Sequence, residues 1–254
     1  MNTLGLVLLN LWGTAWALAS ATFTSILYLL GRPFERDARV LNFVFPLFAR
    51  LVLWSVGVRV RVAGGEHIPR DRPSILMANH ESYLDIPALV VAAPGHSLRF
   101  VAKRELNRLP FLGWAIALSP NVKIDRSDAK GSMRAIHAGA AALPPGASLA
   151  VFPEGTRSGG RGMLPFKKGG FLLAVNTRLP VFPATLVGSG RIWGKSARLL
   201  RPGTIEVRFH PPIETKDRPR ASIPALMDEV REVIGSGLPG AEPVPGSEGR
   251  STTA

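Results

Sequence analysis

Hydrophobic positions fall into two regimes along this chain. No charged side chain precedes Arg32, and the apolar run from Leu4 to Leu30 is long enough to cross a bilayer as a helix. A second apolar stretch, 40–56, contains Pro46 and Arg50 and is marginal in length for a span. After residue 57 the pattern shortens. Strand-length apolar runs at 58–62, 74–78, 99–102, 122–124, 148–152, 181–187 and 204–209 alternate with helical stretches at 83–91, 130–143, 168–177 and 223–234. That alternation predicts an α/β domain with strands backed by helices. Beyond Gly235 the chain is rich in Gly, Pro, Ser and Glu, a composition that cannot bury enough apolar surface to order itself. The predicted organisation is therefore 1–57 membrane-anchoring helices, 58–235 an α/β domain and 236–254 a disordered tail, with no internal repeat.

The amino-terminal run contains Ala19-Ser20-Ala21, which resembles a signal cleavage site. No Lys or Arg precedes it, however, and apolar residues continue past it through Ile26, Leu27 and Leu30, so a retained anchor is expected. Arg32, Arg36 and Arg39 follow at once and place that end on the cytoplasmic face of the cell membrane.

The formal net charge is +13 over 254 residues. A basic excess suits anionic lipid headgroups, the phosphates of coenzyme A, or nucleic acid. Nucleic acid is the weakest of these partners, because the cations are scattered and only 2 Tyr serve among the residues on which bases stack. The absence of Cys removes thiol nucleophiles, disulfides and Cys-based metal sites. Neither a G-x-S-x-G elbow nor an H-E-x-x-H pair occurs, which argues against a serine hydrolase of that kind and a zincin.

Two segments carry the candidate chemistry. Asn79-His80-Glu81-Ser82-Tyr83-Leu84-Asp85 offers an imidazole with a carboxylate five positions on. On a regular helix such residues point about 140° apart, so a contact requires a turn or helix start between them, with Ser82 a plausible N-cap. If His80 lies in the loop and Asp85 in the first helical turn, the carboxylate fixes one ring nitrogen and leaves the other to accept a proton. On spacing alone, a loop histidine beside a helix-start aspartate favoured by the macrodipole is the commoner explanation. The second segment, Phe152-Pro153-Glu154-Gly155-Thr156-Arg157-Ser158, follows a predicted strand, where ligands of α/β sheets collect. Gly155 allows close backbone approach to a phosphate, Thr156 offers a hydroxyl and Arg157 a fork of donors. Glu154 either positions a cation or binds a substrate hydroxyl, unless it belongs to a solvated turn.

With these segments in place, residues 58–212 resemble the 1-acylglycerol-3-phosphate acyltransferases, membrane enzymes that make phosphatidic acid. Asn79-His80 through Asp85 is similar to the family's first block, with its catalytic His and Asp. Lys103-Arg104-Glu105-Leu106, Pro110, Gly113-Trp114 and Ile124-Asp125-Arg126 resemble the second, linked to acceptor binding. Phe152 to Ser158 with Pro165-Phe166-Lys167-Lys168-Gly169 resembles the third, whose Glu, Gly and Arg bind the glycerol phosphate. Leu179-Pro180-Val181-Phe182-Pro183-Ala184 resembles the fourth, linked to the acyl donor.

The resemblance implies a mixed sheet flanked by helices, of the glycerolipid acyltransferase type, carrying an apolar helical membrane anchor. It implies His80 and Asp85 as catalytic residues and Lys103, Arg104, Glu154, Gly155, Thr156 and Arg157 as substrate-binding. No metal or cofactor is required. The acyl donor would be acyl-coenzyme A or an acyl carrier protein, and the acceptor 1-acylglycerol 3-phosphate. Were both apolar segments to cross fully, residues from 58 onward would lie away from cytosolic donors, so one or both are expected in the cytoplasmic leaflet.

One departure stands out, since Ser119-Pro120-Asn121 has proline where the family usually has glycine. Proline cannot replace a glycine that needs positive φ, so either the turn needs none or the acceptor pocket differs. Lyso-ornithine lipid and glycerol 3-phosphate remain alternative acceptors. A distant alternative is nucleotide binding, because Ser189-Gly190-Arg191-Ile192-Trp193-Gly194-Lys195-Ser196 is one residue short of a P-loop. Arg, Pro and Gly follow it instead of a helix. A basic membrane scaffold without catalysis would leave His80, Asp85, Glu154 and Arg157 without a shared purpose.

Overall fold

A computed structural model describes residues 2–31, 33, 39–103, 112–125, 128–159 and 162–240. Its strands are β1 (Val58–Ala63), β2 (Ser74–Ala78), β3 (Ser97–Lys103), β4 (Val122–Ile124), β5 (Ala147–Val151), β6 (Val181–Val187) and β7 (Gly203–Phe209). They form a 7-stranded sheet in the order β1-β7-β6-β2-β5-β3-β4. Neighbours run parallel except β6 and β7, so the sheet is mixed, as expected. Every predicted strand is present.

The helices are α1 (Thr3–Gly31), α2 (Arg39–Ser55), α3 (Asp85–Ala92), α4 (Leu112–Leu118), α5 (Ala129–Ala141), α6 (Lys168–Thr177), α7 (Ser189–Trp193) and α8 (Ile223–Ser236). Both α4 and α7 escaped sequence reading, because each is too short to show a helical period and is bounded by Pro or Gly. The tail from 241 lies outside the described residues.

Alternation along the central strands sorts the core into two layers. On β2, Leu76 and Ala78 join a cluster with Ala49 and Leu53 of α2 and Ala88 and Leu89 of α3. Ile75 and Met77 face the other way, toward Phe171 and Leu173 of α6 and Leu226, Val230 and Ile234 of α8. Both sheet faces are thus covered, which is why β2, β5 and β6 read as continuous apolar runs.

The two N-terminal helices pack against each other as an antiparallel pair. At one end Gly13 meets Val56, and at the other Gly31 meets Val40, each so closely that an added Cβ would overlap the valine. Pro46 sits inside α2, where it removes one backbone donor without ending the helix. The α1 helix is the only described helix long and apolar enough to cross a membrane. Two hydrogen bonds of 2.8 Å join the Asn10 amide to the backbone of Leu200, while Tyr28, 1% exposed, is packed against Val44 further along.

At the sheet edge where β2, β3 and β5 begin, His96 Nε2 lies 2.8 Å from Ser148 Oγ, and that hydroxyl also meets Ser74. Burial, with Arg70 nearby, lowers the His96 pKa to about 4. His210, which bonds Thr185 Oγ1 at 2.8 Å, is also lowered to about 4, chiefly by burial. The fold therefore holds both rings neutral. Below the ordinary histidine value of 6.5 the unfolded chain takes up protons that the folded chain refuses, down to about pH 4. Each histidine should withdraw about 1.4 kcal/mol of stability per pH unit across that window. Denaturant titrations in detergent should show this loss, and His96→Gln should flatten the profile; an unchanged slope would contradict the assignment.

Candidate active site

Because β2 and β5 are adjacent and parallel, with Met77 opposite Val151, the segments that follow them leave the sheet at one edge. Asn79 continues the pairing where β2 stops. Its buried amide donates to Leu186 O at 2.8 Å and accepts from Leu186 N at 2.7 Å, which fixes where the next residue turns out of the sheet.

His80 is held on every side. Its Nδ1 is 2.7 Å from Asp85 Oδ2, its N–H donates to Glu154 Oε1 at 2.8 Å, and its carbonyl accepts from Ser158 N at 2.7 Å. The ring stacks on Phe152 with centroids 4.0 Å apart. Asp85 is fully buried, and its Oδ2 also accepts the backbone N–H groups of Glu81 (2.7 Å) and Ser82 (2.9 Å). An oxygen receiving those donors is an acceptor toward the ring too, so Nδ1 carries the proton and Nε2 is left as a base.

His80 in the loop and Asp85 at the start of α3 are as expected, but Ser82 does not cap that helix. Leu84 occupies the N-cap without a side-chain bond. The Ser82 hydroxyl instead donates to Trp193 O at 2.7 Å and accepts from Leu84 N at 3.2 Å. The carboxylate of Asp85 itself closes the turn, which is how a five-residue spacing becomes a contact.

Glu154 is 2% exposed and enters no ion pair among the described residues. One oxygen takes His80 N–H and the other takes Leu164 N–H at 2.9 Å. Burial raises its pKa, and those two bonds partly counter the shift. Gly155 adopts φ +71°, and Lys167 passes so close that its Nζ would lie 2.8 Å from a Cβ placed there. Thr156 is exposed beside it. Arg157 stacks its guanidinium over Tyr83, 3.4 Å from the ring centroid, a cation–π contact. Sequence reasoning missed Lys167 and Tyr83 as members of this group, and Glu81, whose carboxylate accepts Gly190 N–H at 3.1 Å. Burial raises the Glu81 pKa as well, offset in part by that bond.

Lys103 is the last residue of β3, which runs parallel to β5 and so ends at the same edge. Arg104 lies outside the described residues. The Pro120 turn needs no positive φ, since Arg178 alone among described non-glycine residues has one. Asn121 anchors it by accepting from Phe100 N at 2.9 Å. The near P-loop is not a phosphate cradle: Gly190 N–H is spent on Glu81, and Trp193 O on Ser82.

The Acyltransferase family model matches residues 59–187, which span His80, Asp85, Glu154, Gly155, Arg157 and Lys167 but not Gly190 and Trp193. The 1-acyl-sn-glycerol-3-phosphate acyltransferase of Limnanthes alba is 33% identical over 224 residues, covering 88% of this chain and 78% of that protein. The alpha form from Homo sapiens is 35% identical over 181 residues, 71% of this chain and 64% of its own. The crystal structure of PlsC, the 1-acyl-sn-glycerophosphate (LPA) acyltransferase from Thermotoga maritima, superposes with a TM-score of 0.80 at 28% identity, covering 93% of this chain and 96% of that one. The chain belongs to the acyltransferase family, among its 1-acyl-sn-glycerol-3-phosphate acyltransferases.

The double role of Glu154 is open to test. Glu154→Gln keeps the shape but replaces one acceptor with a donor facing a backbone N–H. Acyl-transfer kcat should fall roughly 10- to 100-fold through misplacement of His80, with acceptor KM little changed. A raised KM at constant kcat would instead place Glu154 on the substrate.

Proposed function

We propose that this protein transfers an acyl chain from an acyl thioester to the 2-hydroxyl of 1-acylglycerol 3-phosphate, forming phosphatidic acid in phospholipid biosynthesis. The observation that carries this reading is the His80–Asp85 pair, 2.7 Å apart, on the same sheet edge as the Gly155–Arg157 loop and Lys167. His80 Nε2 takes the proton from the acceptor hydroxyl as that oxygen attacks the thioester carbonyl. The tetrahedral intermediate then expels the thiolate, which recovers the proton from His80. Arg157 and Lys167, with the backbone of Gly155 and the hydroxyl of Thr156, hold the acceptor phosphate. Fixing the phosphate keeps the hydroxyl within reach of the base, a positioning effect worth several kcal/mol of barrier.

An apolar cavity of about 270 Å³ lies between α1, α2, β3 and α4, lined by Tyr28, Phe45, Phe48, Ile86, Phe100 and Ile116. Ile86 follows Asp85 directly, so an acyl chain in this cavity has its thioester end near the base. The donor is an acyl thioester of coenzyme A or of an acyl carrier protein.

The α1 helix meets the α/β domain at Asn10, which bonds Leu200, and roughly 27 Å further along at 1.5 Å per residue its Tyr28 lines this cavity together with Phe100 and Ile116. A helix laid along the domain over that length favours the reading that it rests in the cytoplasmic leaflet and does not cross the bilayer with the domain held clear.

His80→Ala should lower kcat by about 10²- to 10⁴-fold with little change in acceptor KM, and Arg157→Ala should raise acceptor KM strongly. Labelled acyl-coenzyme A and acyl carrier protein would be offered with 1-acylglycerol 3-phosphate, glycerol 3-phosphate and lyso-ornithine lipid. His80-dependent product with the first acceptor is expected. Transfer only to lyso-ornithine lipid would overturn the phosphate assignment, and equal, small effects of both substitutions would overturn the mechanism.

A further inference from the structure

The connection between β6 and β7, residues 188–202, holds the His80 loop through Gly190 and Trp193 but carries more than that task requires. It contains Arg191, Lys195, Arg198 and Arg201 and no acidic residue, and all four cations are exposed. Among the described residues, Lys195, Arg198 and Arg201 enter no ion pair. The same connection is fastened to the apolar anchor at Leu200, by the paired bonds to Asn10. Two residues along α1, Trp12 is 52% exposed, and Trp54 near the end of α2 is 66% exposed. Both indoles pack on Trp16, with centroids 5.4 and 5.7 Å away. Leu8 and Leu11 continue this exposed apolar face.

We infer that the β6–β7 connection is a docking surface for the headgroups of anionic lipids. Four cations with no acid among them repel one another in water and are relieved at a surface of opposite charge. Indoles belong at the boundary between headgroups and acyl chains, and here they lie on α1 and α2, with α1 the helix to which the cationic connection is tied through Leu200. A cationic connection tied to an exposed apolar helix matches the headgroup and acyl layers of one leaflet, whereas an acidic protein would meet only the charge. The inference rests on the reading of α1 as a leaflet-bound helix. Because Trp193 O accepts from the Ser82 hydroxyl and Gly190 N–H donates to the Glu81 carboxylate, lipid engaged here sits beside the loop that carries His80.

The test is a competition for the full chain between phosphatidylcholine vesicles and phosphatidylcholine vesicles containing phosphatidylglycerol, separated by density. Competition cancels the apolar contribution of α1, and the readout needs no catalysis, so its failure is distinct from failure of the proposed reaction. Wild type should prefer the anionic vesicles, and high salt should weaken that preference. At about 1 kcal/mol per cation, the triple variant Lys195→Gln, Arg198→Gln, Arg201→Gln should reduce it on the order of 10²-fold. Its transfer rate on substrate in neutral detergent micelles should match wild type, which establishes that it folds. A control with Lys130→Gln, Arg134→Gln and Lys216→Gln, exposed cations elsewhere on the domain, should keep the preference. A triple variant that partitions like wild type overturns the inference, as does an equal loss in the control. Loss of transfer from an acyl carrier protein alone, with vesicle preference intact, would assign the surface to an acidic protein and overturn it too.

Discussion

Glu154 sits between two backbone N–H groups from different loops, and the position of His80 depends on it. One carboxylate oxygen receives His80 and the other receives Leu164, so a single side chain joins the turn after β2 to the long connection after β5. A buried carboxylate is costly, and its raised pKa records that cost. Charge-assisted bonds to both oxygens offset it. Left without such an acceptor, a buried backbone N–H would cost about 1–3 kcal/mol, and the turn carrying His80 would lose one of the ties that fix it. Asn79 below, Phe152 alongside and Ser158 on the carbonyl complete the restraint, but each acts on a turn that Glu154 has already brought into register.

Three acids, Glu81, Asp85 and Glu154, lie in the segments that carry and brace His80, and one of their oxygens, Asp85 Oδ1, is buried without a partner among the described residues. Each accepts backbone N–H groups: Gly190 for Glu81, Glu81 and Ser82 for Asp85, His80 and Leu164 for Glu154. Amide dipoles neutralise these carboxylates without consuming a cation. Arg157 and Lys167 consequently enter no ion pair among the described residues. Arg157 rests on the face of Tyr83, a contact that holds the guanidinium plane while leaving its edge donors for a ligand. For the proposed binding of an acceptor phosphate beside these carboxylates the separation matters, because a cation already paired with one of those acids would have to be released before it could bind.

The strands were legible because β2, β5 and β6 are covered on both faces and write themselves as continuous apolar runs. The His80–Asp85 contact was legible as a loop histidine beside a carboxylate in the first helical turn, but the way the turn closes was not, since the Asp85 carboxylate closes it where local chemistry pointed to Ser82. Glu154 illustrates the limit more sharply. Its neighbours in sequence, Gly155 and Arg157, suggest a phosphate loop, yet its own partners lie in other segments, and no local pattern encodes them. The Lys167 approach to Gly155 is hidden for the same reason. The near P-loop misled in the opposite direction: its glycines and lysine imitate a cradle, while the fold uses Gly190 and Trp193 to brace Glu81 and Ser82.

The anchor and the α/β domain share a boundary in the sequence pattern but not in packing. Thr24, Ser25 and Tyr28 of α1, with Val44, Phe45 and Phe48 of α2, form one side of the apolar cavity, and Phe100 and Ile116 form another. Phe45 meets Phe100 edge to face, with centroids 5.8 Å apart. Without α1 and α2 that wall would open to water, and the apolar surface of β3 and α4 would be exposed. The amino-terminal helices therefore complete the pocket, and the gain is physical: a chain of methylenes lodged there gains transfer free energy in proportion to the apolar surface it removes from water. In the proposed reading, the helices that rest on the leaflet are the ones that wall the cavity, so an acyl chain lodged beside Ile86 lies between the lipid surface and the proposed base.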